Sequence, residues 1–282
     1  MAIERVVPGL ERSDFITPPS KTPQRIIYLI MGLTKSGKST FPFYGPGPIA
    51  VLDTDRRLEG VVQKAMSGKL TGQPKEVVWM PIKMPQLDIR SRKEDSTVKR
   101  HAEEQLNKWI KNFKLALESS RKPGGVRTIS IDTGTELIDL RKCAEFGRVM
   151  GIQPRDLGGV NQDMRDWMRM GEEYNANIVW VHHVKDEWGK YRKGDGSEDS
   201  APTGRKILDG YNKAEQCVQV VLESQVKGDK FYVKVLSSGL TPATNGVVYS
   251  EKDWGEHGPF AHISAEQKPR TSPEDWLDEE EN

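Results

Sequence analysis

Eight residues, Gly32-Leu33-Thr34-Lys35-Ser36-Gly37-Lys38-Ser39, keep the G-x-x-x-x-G-K-[ST] spacing, and the chemistry that this spacing serves is the holding of a phosphate chain. Glycines at 32 and 37 let the backbone curl until successive N–H groups point inward at phosphate oxygens, and a following helix would add the positive potential of its N-terminus. Lys38 would reach the β and γ phosphates, while the Ser39 hydroxyl is a hard oxygen suited to Mg²⁺. With Thr40 the binding stretch runs over residues 32–40. Pro42, Pro46 and Pro48 follow closely, so the helix after the loop must be short.

A phosphate loop needs a carboxylate at the end of a neighbouring strand to hold the metal through water, and Asp132 closes the apolar run Thr128-Ile129-Ser130-Ile131. The competing role for Asp132 is to cap the helix that starts near Gly134. In Val51-Leu52-Asp53-Thr54-Asp55 two more acids leave a strand; Asp55 is the candidate to orient or deprotonate water, with Asp53 in support, and a surface turn is the alternative. His182 and His183 close another apolar run, where a histidine could bond the γ phosphate or the attacking water, or pack as a structural side chain. Zinc is disfavoured because Cys143 and Cys217 show no paired ligand spacing.

These groups need a sheet to bring them together. Arg25–Met31, Ile49–Asp53, Val77–Ile82, Thr128–Asp132 and Ile178–His182 read as buried strands, alternating with helices over Val98–Ser119, Glu136–Met150 and Asn161–Asn175. That alternation predicts an α/β fold with a mostly parallel sheet. Cys217–Glu223 and Phe231–Leu236, joined around Lys227-Gly228-Asp229, predict an antiparallel hairpin at the sheet edge, and the Gly/Ser/Asp/Lys bias of Trp188–Thr203 predicts a mobile loop.

Two cysteines in 282 residues exclude a disulfide scaffold, and the charged, proline-rich start and the lack of a long apolar run give neither export signal nor membrane span, which points to a soluble, cytoplasmic protein. The six acids of the last twelve residues hide a basic body, 42 bases against 35 acids, that could attract a polyanion. Four segments are expected: an extended arm (1–24), the α/β domain (25–240), an extension (241–270) and a disordered acidic tail (271–282).

The order of strand, phosphate loop, LDTD, TISID, HHVK, loop and then PTGRKILDGYNKAEQCVQVVLE resembles the RecA-like P-loop ATPases, and more closely the phage-encoded members that include Sak-type single-strand annealing proteins. The resemblance covers roughly residues 25 to 240 and implies a RecA-like core, ATP and Mg²⁺ as cofactors, and action on single-stranded DNA in phage recombination, annealing or replication. It places the family's catalytic glutamate on Asp55, a side chain one methylene shorter that could slow turnover, and its γ-phosphate sensor on His183. The family's DNA-binding loop falls on 186–205, where Trp188, Lys190, Tyr191, Arg192, Lys193 and Arg205 interleave aromatics with bases among nearly as many acids. Lys234 stands where subunits of such filaments place a cation against the neighbour's nucleotide, so a homo-oligomer is implied; the acidic tail, with Trp276 and Leu277, resembles those of single-strand-binding proteins, so a recombination partner is implied too. Two other readings stand beside this one: a P-loop kinase with a lid of Arg90, Arg92, Lys93 and Arg100, and an ATP-dependent scaffold that does not hydrolyse.

Overall fold

The computed structural model describes residues 25–85, 93–192, 197–268 and 271–277. The arm 1–24, Arg90 and Arg92 of the suggested lid, Lys193 and the acids from 278 onward lie outside these residues.

Among the described residues nine strands form one mixed sheet. Five of them, β1 (Ile27–Gly32), β2 (Ile49–Asp53), β3 (Val77–Pro81), β4 (Thr128–Asp132) and β5 (Asn177–Arg192), run parallel in the order β3-β2-β4-β5-β1. The strand β7 (Val220–Lys227) joins β1 in parallel, after which β8 (Lys230–Ser238) and β9 (Val248–Ser250) continue antiparallel, while β6 (Glu198–Leu208) pairs with β5 alone. Every residue of β1, β2 and β4 is buried, which is why these segments read as continuous apolar runs.

Helices close both faces. On one lie α2 (Ser96–Ser119), α3 (Gly134–Phe146) and α4 (Gly158–Met170), with the α2 stripe of Leu106, Trp109, Phe113 and Leu117 buried against the sheet. Asp95 starts α2 by accepting from Thr97 N and Val98 N, and Trp109 sits with its ring centroid 5.1 Å from both Phe113 and Trp167. On the other face α5 (Glu251–Trp254) and α6 (Gly258–Gln267) bury Trp254, Phe260 and Ile263 against Tyr28, Ile30 and Val233. The short α1 (Glu59–Met66) packs Val62 and Ala65 beside β2.

Three expectations change. Within Trp188–Thr203 the described residues up to Arg192 and from Glu198 onward are strand and not loop: β5 runs ten residues past His182 and pairs with β6 in an antiparallel arm, while 193–196 lie outside the described residues. Most of the arm's side chains are exposed, so no apolar period marked it as strand. The β7–β8 hairpin is not the sheet edge, because β9 adds outside it, and Cys217 belongs to a 3-10 turn instead of the strand. The extension expected over 241–270 contributes α6 to the second core, and of the tail expected to be disordered over 271–282 the described residues 271–277 are ordered, with Trp276, 1% exposed, joining that core from a 3-10 turn over Pro273–Trp276. Trp276→Ala should therefore lower unfolding free energy by about 3–5 kcal/mol, read as the shift in urea midpoint, where a disordered terminus would leave the midpoint in place. No helix among the described residues is long and apolar enough to cross a membrane.

Candidate functional site

Strand register assembles the site. Gly32 lies opposite His183, and Asp132 lies opposite both Asp53 and Val181, so the carboxyl ends of β2, β4 and β1, with the middle of β5, present Asp53, Asp132, the glycine loop and His183 along one side of the sheet.

The loop curls through positive φ at Lys35 (63°) and Gly37 (84°). Glycine is required at 32, where a Cβ would stand 2.6 Å from Ser224 Oγ, and at 37, where it would stand 2.6 Å from the Phe231 ring. No α-helix follows. Thr40 N bonds Gly37 O at 3.0 Å and Phe43 N bonds Thr40 O at 3.1 Å, giving only a 3-10 turn over Phe41–Tyr44 before the prolines. The helix expected to lend its dipole is therefore replaced by an anchored turn, with Phe41 and Phe43 fully buried. The loop is instead braced by the β7–β8 hairpin: Ser36 Oγ and Ser224 Oγ are 2.7 Å apart, and Phe231 lies against Gly37. Neither Ser224 nor Phe231 carries a local sequence signal, because both act from about 190 residues away in the chain.

Lys38 is 5% exposed, with Nζ donating to Leu33 O at 3.2 Å; burial pulls its pKa down, and the nearby Asp132 and Asp55 oppose that shift. Asp132 is buried with its Oδ2 lacking any hydrogen-bond partner. Burial pushes its carboxyl up to about 7 against the opposing effects of a hydrogen bond from Ser39 and the Lys38 charge. Capping of α3 falls to Thr133, whose Oγ1 accepts from Glu136 N at 3.1 Å. Thr54 ties the two strand ends together: its N donates to Asp132 O at 2.7 Å, and its Oγ1 accepts from Thr133 N at 2.8 Å.

The two acids after β2 separate in role. Asp53 is fully engaged, Oδ1 accepting from Arg56 N at 2.6 Å and Oδ2 from Trp79 Nε1 at 3.0 Å, so it fixes the turn. Asp55 is ion-paired with Arg57 at 3.3 Å and lies close enough to Lys38, Asp132 and His183 to shift the pKa of each. The histidines separate as well. His182 is fully buried, its ring against Gly134, its Nε2 unpartnered and its pKa pushed down to about 4 by burial. His183 is half-buried and faces the charges of Lys38 and Asp55; burial, then Lys38, lowers its pKa, and its N donates to Thr135 Oγ1 at 3.0 Å. Glu136, in the first turn of α3, sits in the same field, its pKa raised by burial, then Asp139 and Asp55. The T-x-x-E spacing of a capping box could have drawn attention to it in the sequence.

The arm residues stand apart. Trp188 is 63% exposed, and Lys190 and Arg205 pair with Glu198 (3.8 Å) and Glu187 (3.7 Å). Tyr191 OH donates to Asp199 at 3.4 Å, and Arg192 lies opposite Glu198. Strand alternation puts Trp188, Lys190 and Arg192 on one side and Tyr191 on the other.

A phosphate chain with Mg²⁺ fits these residues: the glycine cradle has no room for a Cβ, and the unpartnered Asp132 Oδ2 beside Ser39 offers the hard oxygens that Mg²⁺ takes. No family model and no curated protein matches the chain. Among solved structures it is similar to the flagellar accessory protein FlaH from Methanocaldococcus jannaschii, at 12% identity and TM-score 0.36, over 79% of this chain and 81% of that one. A likeness that distant bears on neither activity nor substrate.

Proposed function

We propose that this chain is a RecA-like P-loop ATPase that binds Mg-ATP and acts on single-stranded DNA, in the recombination or annealing role that its motif order resembles. The observation that carries the nucleotide part is the buried Asp132 carboxylate, one oxygen free, beside Ser39 and Lys38 at the mouth of a glycine cradle. Backbone N–H groups of residues 33–40 and the Lys38 ammonium hold the phosphate chain; Ser39 and Asp132 hold the metal. Bound Mg²⁺ would neutralise charge on the phosphate oxygens. Asp55 orients water and accepts its proton, His183 hydrogen-bonds the terminal phosphate, and Asp53 keeps the β2 turn in shape.

Slow turnover follows from two features. The loop lacks a helix dipole behind it, and Asp55 must leave Arg57 to act as a base. The same ion pair favours a second reading, an ATP-binding scaffold without turnover. Phosphate release from ATP with Mg²⁺, with and without single-stranded DNA, separates them: release stimulated by DNA supports the ATPase, tight binding without release supports the scaffold, and a phosphorylated acceptor would indicate a kinase.

Ser224→Ala tests the brace. Losing the Ser36–Ser224 hydrogen bond, worth about 1 kcal/mol, should weaken ATP binding roughly fivefold, and Ser36→Ala in the same chain should add nothing further. Two independent, additive losses in a double-mutant cycle would refute the coupling.

A further inference from the structure

We infer that single-stranded nucleic acid lies on the outer face of β7–β9 and not on the β5–β6 arm. This rests on the nucleic-acid half of the proposed function and is independent of the ATP half. Residues paired across antiparallel strands share a face, and three such rows stack here: Lys227 with Lys230; Gln225 with Tyr232 and Ser250; Glu223 with Lys234 and Val248. Lower on the same face Leu236 packs on the helical core, so only the upper part is open. There a cleft of about 370 Å³ is lined by Lys230, Tyr232, Ser250, Glu251 and Lys252, and Lys227 Nζ stands 5.8 Å from the Tyr232 ring centroid.

Charge distinguishes this face from the arm. Lys185, Lys190, Arg205 and Lys206 of the arm each have a carboxylate within ion-pair reach, at 2.9, 3.8, 3.7 and 2.6 Å. Among the described residues Lys227, Lys230, Lys234 and Lys252 have none, although Glu223, Asp229 and Glu251 lie in the same region. Two lysines directly opposite each other, as Lys227 and Lys230 are, repel, and a polyanion relieves that repulsion. An aromatic ring amid cations on a sheet is suited to a base splayed out of its strand, with the flanking phosphates beside the lysines. The cleft has the size for one such base, which a duplex does not offer. The neighbouring Phe231 points the opposite way, onto Gly37 and Trp254, so β8 has one side on the phosphate loop and the other on this face.

The test measures binding of a labelled oligo(dT) to the full chain by fluorescence anisotropy across a salt series. The variants are Lys227→Gln/Lys230→Gln/Lys252→Gln, Tyr232→Ala, Tyr232→Phe and the arm variant Trp188→Ala/Lys190→Gln, with ATP binding followed in parallel. The triple variant is expected to bind at least about tenfold more weakly and to lower the slope of log affinity against log salt by about 2, near 0.7 per lysine. Tyr232→Ala should lose about fivefold or more while Tyr232→Phe keeps its affinity. The arm variant should change affinity less than about twofold, and ATP binding should hold in all four. Loss in the arm variant with none in the triple variant overturns the inference. So does absence of oligo(dT) binding by the unmodified chain, which with intact ATP binding leaves the nucleotide reading standing. Two further results also overturn it: equal loss of inorganic pyrophosphate and oligo(dT) binding marks a simple phosphate site, and loss of self-association with oligo(dT) binding unchanged marks a contact between copies.

Discussion

Lys38→Met abolishes ATP binding to the point where affinity falls more than about a hundredfold, while the folded chain stays intact. The size follows from what the ammonium does: charge-assisted hydrogen bonds are worth about 1.5–3 kcal/mol each, and Lys38 would make more than one to the phosphates. The fold survives because Lys38 bonds only Leu33 O of its own loop, and its burial disfavours the charged form. Methionine keeps the stem's volume and removes that burden. Calorimetric titration with ATP, beside thermal unfolding of the nucleotide-free chain, checks both halves. Unchanged affinity would remove the phosphate loop from the proposed function.

Asp132→Asn removes two pH dependences of opposite sign, one from the stability of the nucleotide-free chain and one from its affinity for Mg-ATP. In the nucleotide-free fold the carboxyl is buried and its pKa stands at about 7, against about 3.9 for an ordinary aspartate. The folded state thus holds its proton more tightly than the unfolded state does. That contribution is full below pH 4 and is lost as pH rises towards 7, a decline on the order of 4 kcal/mol. Asparagine cannot ionise, so the variant gains on the parent chain as pH rises. His182 acts in the other direction: its folded pKa of about 4 lies below the ordinary 6.5, so its contribution is lost as pH falls from 6.5 to 4. Both chains carry His182, and the difference between their urea curves isolates Asp132. Mg-ATP affinity should climb through pH 7 in the parent, because a metal needs the deprotonated carboxylate, and stay low and flat in the variant. A parent affinity independent of pH between 6 and 8 would exclude Asp132 as the metal's carboxylate.

Much of this site was legible because its signals are local. The glycine spacing, the apolar runs of β1, β2 and β4, and the acid or histidine closing each run are short-range patterns, and their strands fall within a residue or two of where the sequence puts them. The β5–β6 arm was not legible: its exposed strands are paired by their backbone ladder and carry ion pairs where a buried face would otherwise lie, so the usual period is absent. The last core layer was missed for a different reason, since Phe260 gains its meaning only by packing on Tyr28 and Phe41 at the far end of the chain, and Trp276 only by joining the same cluster beside α6.

The sequence by itself determined that a glycine loop with G-x-x-x-x-G-K-S spacing follows the first strand and that carboxylates and histidines close the neighbouring apolar runs, since each depends on residues adjacent in the chain. Only the tertiary structure decided which of them face the loop. Asp53 turns to Trp79 and Arg56 while Asp132 keeps an oxygen free, and His182 is sealed beneath Gly134 while the next residue faces Lys38. One step along a strand reverses the side, and which side meets the loop is set by parallel register between segments as much as 150 residues apart. The absence of a helix behind the loop and its replacement by Ser224 and Phe231 likewise belong to the fold, because the proline spacing could end a helix but could not say what would brace the loop in its place.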